Sequence, residues 1–258
     1  MASTDLPGKA LATFPGVPTR ESFAQLKRRA GKIIDKLHAR YPQIRLPLHH
    51  GDPLQLLVAT ILSAQCTDVM VNRVTPVLFG KYRTAQDFAS ANPRDVERIV
   101  KPTGFFRQKT RAIISTCKSI VERFAGQVPL TMDELVTLDG VGRKTANVIL
   151  SGKRLEPWGS GEDPTDGLGL VVDTHVRRLS QRLGLVTSDD PVKIEQQLMQ
   201  LIPRAEWDGF SLRLIYFGRE VCTAKRPQCP ACPLNRLCPS ARYRGNPPWM
   251  KRRKLREQ

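Results

Sequence analysis

Acidic residues are scarce in this chain. Across 258 residues, 24 Asp and Glu stand against 41 Lys and Arg, which leaves a net charge of +17 with histidine neutral. That imbalance suggests a polyanionic partner, although charge alone equally fits a merely basic, soluble protein. Long apolar runs are missing as well, so no segment reads as a membrane span and no membrane partner is expected. The opening residues, MASTDLPGKALATFPG, have no basic start followed by an apolar core. They do not read as a signal peptide, and a reducing compartment is expected. Six cysteines in such a compartment argue for metal or chemistry rather than disulfides. Convincing strand alternation is missing too, so the chain is predicted to be all α.

What is present is a series of helical patterns with start signals. A basic helix runs from Ser22 to about Tyr41, with Leu26, Ile33, Ile34 and Leu37 on its apolar face. Asp52 and Pro53 start a second, buried helix through Leu54, Leu57, Val58, Ile61 and Leu62. Thr67 is placed to cap a third, whose inward positions are Val71, Val74, Val77 and Leu78. Asn92 and Pro93 start another, with Val96, Ile99 and Val100 inward. The helix after Phe105 carries a clean two-sided pattern that includes Cys117, read as inert core. Cys66, isolated in sequence, reads as packing. Gln65, at a helix junction, is either a satisfied structural amide or a probe presented to a base edge. Phe105 lies in a loop, where an aromatic serves as a packed plug or as a wedge entering DNA. Asp173 reads as an N-cap, with Gly184 closing its helix.

Residues 138–150, LDGVGRKTANVIL, organise the whole. Gly140 and Gly142 flank Val141 in a tight hairpin, and Arg143 and Lys144 open the helix that follows. Upstream, Thr131 with Glu134 three positions on forms a capping-box pattern for a short helix. The unit reads as helix, glycine hairpin, helix. Glycines let a phosphate or a neighbouring backbone come close, and the amides of a helix start bind phosphate. Such a hairpin holds a DNA backbone without reading bases. An ordinary helix–helix turn gives the same pattern.

Cys222, Cys229, Cys232 and Cys238 have the spacing C-x6-C-x2-C-x5-C. Four close cysteines in such a chain indicate a metal site, and thiolates suit tetrahedral zinc or a [4Fe–4S] cube equally by spacing. Lys225 and Arg226, in the first loop, could form a basic lobe against phosphate.

Taken together, these motifs closely resemble the endonuclease III family of base-excision DNA glycosylases, in the helix–hairpin–helix superfamily. LLVATILSAQCTD matches its early core helix, LDGVGRKTA its hairpin, VDTHV its aspartate segment, and the four cysteines its cluster loop, in the family's order. The resemblance spans residues 22 to 239. It implies a two-lobed, all-α helix–hairpin–helix glycosylase fold with a C-terminal iron–sulfur cluster loop. The implied divisions are a flexible arm over 1–19, an N-terminal helix at 20–52 packing with the C-terminal lobe, and a helical barrel at 53–161 with the helix–hairpin–helix at 131–151. The rest of the cluster lobe is 162–240, and a basic flexible tail covers 241–258.

The resemblance also assigns roles. Lys144 is the nucleophile and Asp173 its activating carboxylate, facing a cleft between the lobes. Cys222, Cys229, Cys232 and Cys238 hold a [4Fe–4S] cluster. Gln65 and Phe105 fall where the family fills the gap left by a flipped base, with Phe105 in place of the more usual leucine. His175 lies near the site, and Gly140, Gly142, Arg143, Lys225 and Arg226 are expected DNA contacts. The implied activity is that of a bifunctional glycosylase and AP lyase acting on oxidised or ring-saturated pyrimidines in damaged duplex DNA. The protein would be a monomer, cytoplasmic in a bacterium and nuclear or mitochondrial in a eukaryote. One departure from the family is the separation of Lys144 and Asp173 by 29 positions, which expands the Gly/Pro-rich loop of 152–170.

Several readings compete. An adenine glycosylase of the mismatch type uses a glutamate in the early core helix, and residues 55–65 contain no acidic residue. It also normally lacks the lysine and carries an extra C-terminal domain that is not expected here. A predominant AP lyase, a monofunctional glycosylase, or a non-catalytic DNA-binding iron–sulfur protein would share most of these motifs.

Overall fold

The structure, a computed structural model, describes residues 21–155 and 169–243. The expected arm of 1–19, most of the expanded loop of 152–170, and the basic tail beyond residue 243 lie outside the described residues. Within them the fold is all-helical, without a strand. In chain order the helices are α1 (Phe23–Arg40), α2 (Pro53–Leu62), α3 (Asp68–Lys81), α4 (Ala85–Ala89), α5 (Pro93–Val100), α6 (Phe106–Phe124), α7 (Met132–Leu135), α8 (Arg143–Leu155), α9 (Thr174–Arg182), α10 (Pro191–Leu201) and α11 (Trp207–Glu220). No helix among the described residues is long and apolar enough to cross a membrane.

The chain divides into two compact units. One takes the described residues up to Ile44 and from Leu170 onward, and the other takes those within Arg45–Gly169.

In the first unit α1 starts with a full capping box. Ser22 accepts from the Gln25 amide, and the Gln25 side chain accepts from the Ser22 amide. Its buried face of Leu26, Ala30, Ile33, Ile34 and Leu37 packs on α10 and α11. Each of the leucine and isoleucine side chains contributes about 1.5–3 kcal/mol by leaving water. Arg29 ties this helix to the end of α9 and to the cysteine region. Its Nη1 donates to the carbonyls of Leu183 at 2.6 Å and Leu237 at 3.1 Å, while Nη2 pairs with Glu21 at 2.8 Å. α9 packs on α11, the most deeply buried helix of this unit. That approach requires Gly218, because a Cβ there would stand 2.6 Å from Nδ1 of His175.

In the second unit α2 is central and touches α3, α6 and α8. Pro53 sits in its first turn, and the Asp52 side chain caps it by accepting from the Gln55 amide at 2.8 Å. Thr67 and Asn92 cap α3 and α5. α3 buries Val71, Val74 and Leu78, but Val77 is 64% exposed, contrary to the sequence expectation. At about 100° per residue, six positions from Val71 carry Val77 about 120° off the buried stripe. α4 was not anticipated, although Thr84 and Asp87 form a complete capping box for it. It lies on α6, as does α5.

Candidate functional site

The helix–hairpin–helix is built from α7, the turn 136–142 and α8. Thr131 caps α7 by accepting from the Glu134 amide at 3.3 Å, and its hydroxyl donates to Glu134 Oε2 at 2.6 Å. The second arm of the expected capping box therefore reaches the hydroxyl rather than the backbone amide. Leu135, Leu138 and Val141 are buried beneath the turn. From α6, Ser115 donates to the Asp139 carboxylate and Thr116 to the Asp139 carbonyl, which pins the turn to that helix.

The two hairpin glycines are there for different reasons. Gly140 has φ +76°, and a Cβ on it would lie 3.2 Å from Cβ of Ala112. The fold itself demands glycine at that position. Gly142 is not left-handed, and among the described residues nothing lies within 4 Å of a Cβ built on it. Its carbonyl accepts the Ala146 amide at 3.0 Å, so it stands at the mouth of α8. Arg143 and Lys144 follow in the first turn, both exposed. The Lys144 amide, so close to the helix start, has no intrahelical acceptor.

Asp173 caps α9. Its Oδ1 accepts from the amides of His175 and Val176, both at 2.8 Å. This pair of bonds fixes the carboxylate through one oxygen, and Oδ2 makes no hydrogen bond among the described residues. His175 is half-buried against Gly218. Burial holds its imidazole below the ordinary histidine value, opposed by the nearby Asp173 charge. Sequence reading missed the two arginines farther along α9. Arg178 donates to the carbonyls of Gly218 and Cys222 at 3.0 Å each. Arg182, 2% exposed, donates to Cys222 Sγ at 3.3 Å and to the carbonyls of Thr223 and Ala224 at 2.7 and 2.8 Å. Their spacing of four on one helix was a usable signal, but nothing local marked Arg182 as buried or Arg178 as half-buried.

Cys222, Cys229, Cys232 and Cys238 line a single pocket whose other walls include Leu179, Leu183, Phe217, Val221 and Leu234. Among the described residues, no three His, Cys, Asp or Glu side chains gather closely enough to hold one metal ion. A tetrahedral zinc would draw four sulfurs to within about 3.8 Å of each other, given Zn–S bonds of about 2.3 Å. The thiols instead surround a shared, largely apolar space. Burial first, and then neighbouring thiols, push Cys229 and Cys232 upward, and burial pushes Cys238 to about 12. Lys225 and Arg226 are exposed in the loop that leaves Cys222. Cys117 is core, its thiol raised to about 12 by burial, and Cys66 is half-buried.

Gln65 and Phe105 share a property the sequence did not reveal. Three non-glycine residues among those described have left-handed backbone, and they are Gln65 (φ 52°), Phe105 (φ 47°) and Ala125 (φ 49°). Ala125 ends α6, an ordinary place for such a conformation. The other two sit in exposed turns, and strain of this sort gathers at functional sites. Phe105 is 61% exposed, so it is not a packed plug. With Phe106, Arg107, Gln108 and Arg111 it lines an open depression on the surface.

Residues 58–204 match the HhH-GPD superfamily base excision DNA repair protein family. Endonuclease III of Synechocystis sp. is 49% identical over 85% of this chain and 95% of the relative. A solved non-covalent endonuclease III–DNA complex is 40% identical, with a TM-score of 0.77 over 84% of this chain and 97% of that one. A trapped endonuclease III–DNA covalent intermediate is 39% identical, also with a TM-score of 0.77, over 85% and 99%. Hairpin, capping aspartate and cysteine pocket occur together on a chain with relatives of this identity and coverage, and the protein accordingly belongs to the endonuclease III family of base-excision DNA glycosylase/AP lyases.

Proposed function

We propose that this protein is a bifunctional glycosylase that removes oxidised or ring-saturated pyrimidines, such as thymine glycol, from duplex DNA and then cuts the strand. The observation that carries this reading is the exposed Lys144, in the first turn of α8 two residues after Gly142, whose Cβ position is open among the described residues. Open space over Gly142 suits a DNA backbone lying on the hairpin, where the leading amides of α8 and its macrodipole favour a phosphate. Phosphate contacts of this kind position the enzyme and leave sequence unread. Lys225 and Arg226 add charge to the same partner, and the protein acts as a monomer.

Damaged pyrimidines stack poorly, which lowers the cost of extruding them. Gln65 hydrogen-bonds the orphaned base and Phe105 supports the broken stack. The Lys144 amine attacks C1′ of the extruded nucleotide as the C1′–base bond breaks, and the base leaves with the bonding electrons and takes up a proton. Asp173, oriented through Oδ1, receives the proton from the lysine nitrogen and stabilises positive charge on the sugar through Oδ2. Opening of the sugar ring gives an imine between Lys144 and C1′. Loss of a 2′ proton then expels the 3′ phosphate by β-elimination. Cys222, Cys229, Cys232 and Cys238 would hold a [4Fe–4S] cluster, which when bound supplies a cross-link that orders the loop carrying Lys225 and Arg226.

The test is a panel of three duplexes, containing thymine glycol opposite adenine, adenine opposite 8-oxoguanine, and a plain apurinic site. The first and third should be processed with a covalent adduct on borohydride addition, and the second should be left intact. Cutting of the apurinic site alone would refute the pyrimidine assignment.

A further inference from the structure

Lys109 is a charged residue that the proposed chemistry leaves unused. It is 4% exposed, near the start of α6, with its Nζ donating to the Thr103 carbonyl at 2.7 Å. Thr103 is itself 2% exposed and its hydroxyl donates to the Val100 carbonyl at 2.8 Å. Between this anchor and α6 stand two successive left-handed residues, Gly104 at φ +70° and Phe105 at φ +47°. Lys109 grips that turn from both sides, because its backbone amide also donates to the Phe105 carbonyl at 3.0 Å. Burying an ammonium is costly, and burial does lower its proton affinity, opposed by Cys66 beside Gln65. A helix that needed only packing at this position would be better served by an apolar side chain. A left-handed phenylalanine persists only where its surroundings over-determine it, and a charge-assisted bond to the preceding turn does that.

We propose that Lys109 is a positioning residue for base extrusion: its buried ammonium locks the turn at Gly104 and Phe105 so that Phe105 is presented to the duplex before DNA binds. This rests on the functional reading above, of which it uses only the extrusion of a base from duplex DNA. Pre-organisation of this sort matters on duplex DNA, where a stack must be replaced, and matters little on a single strand.

The experiment measures thymine glycol processing on duplex and single-stranded DNA, each normalised to the active fraction found by borohydride trapping on a single-stranded apurinic site. Normalisation removes any loss of folded protein. Lys109→Met keeps length and removes the donor, and Lys109→Gln is too short to reach the Thr103 carbonyl. Each should lower the duplex-to-single-strand ratio by about tenfold, the size of one lost charge-assisted hydrogen bond. Lys109→Met combined with Phe105→Ala should be no worse than Phe105→Ala alone, because both act through one side chain. In parallel, 2-aminopurine beside a tetrahydrofuran site reports unstacking on binding without any chemistry, and the Lys109 variants should diminish its fluorescence rise. An unchanged ratio, multiplicative losses in the double variant, or a wild-type 2-aminopurine signal would overturn the proposal. Failure of both variants to give trap-competent protein would also overturn it, in favour of a purely structural lysine. A wild-type protein that forms no adduct refutes the functional reading instead, and the 2-aminopurine signal still decides the role of Lys109.

Discussion

Alanine at position 140 and alanine at position 142 should fail in different ways. Gly140 has left-handed backbone, where a Cβ costs about 1–2 kcal/mol. The new methyl would also press on Ala112 at 3.2 Å, so α6 must yield slightly. At about 2–4 °C per kcal/mol for a chain of this size, Gly140→Ala should lower Tm by about 2–8 °C. Gly142 lacks both constraints. Its replacement loses only the preference of a helix start for glycine over alanine, under about 1 kcal/mol. On the DNA side the order reverses. A methyl on Gly142 would hold a phosphate off the mouth of α8, removing a charge-assisted hydrogen bond of about 1.5–3 kcal/mol, or about ten- to a hundredfold in Kd. Thermal unfolding supplies the first number. Fluorescence anisotropy on a duplex with a tetrahydrofuran site, well below either Tm, supplies the second. The reasoning is refuted if Gly142→Ala binds as tightly as wild type, or if Gly140→Ala unfolds no earlier.

Two further outcomes follow from the pocket and the exposed turn. Purified protein should be brown and contain about four irons per chain, and Cys229→Ala should lose the colour, solubility and DNA affinity together. A colourless, active preparation containing only zinc would contradict the cluster assignment. Phe105→Ala should slow processing of duplex DNA more than of single strands, and equal losses on both would mean that Phe105 serves packing.

The helix starts were legible because caps are local. Asp52, Thr67, Asn92, Thr131 and Asp173 each accept from an amide two or three residues on, and sequence carries that information directly. The same logic would have found α4 through Thr84 and Asp87. Facing was harder. Val77 fits a loose helical spacing yet points outward, because only the neighbours of α3 decide which stripe is buried. Gly140 and Gly142 look equivalent in sequence, and only backbone angles and surrounding atoms show that one serves the fold and the other leaves space. The left-handed turns at Gln65 and Phe105 have no sequence signal in non-glycine residues. Burial of Lys109 and Arg182 is likewise a tertiary fact that charge and spacing conceal.

The account stands most directly on a covalent bond between Lys144 and DNA. Wild-type protein and Lys144→Ala should be incubated with a thymine glycol duplex and with an apurinic-site duplex in the presence of borohydride, and adducts counted on a denaturing gel. Wild type should trap on both substrates. Lys144→Ala should bind damaged DNA, keep its thermal transition, and give no adduct on either. An alanine variant that trapped with wild-type yield would contradict the assignment of Lys144 as the nucleophile.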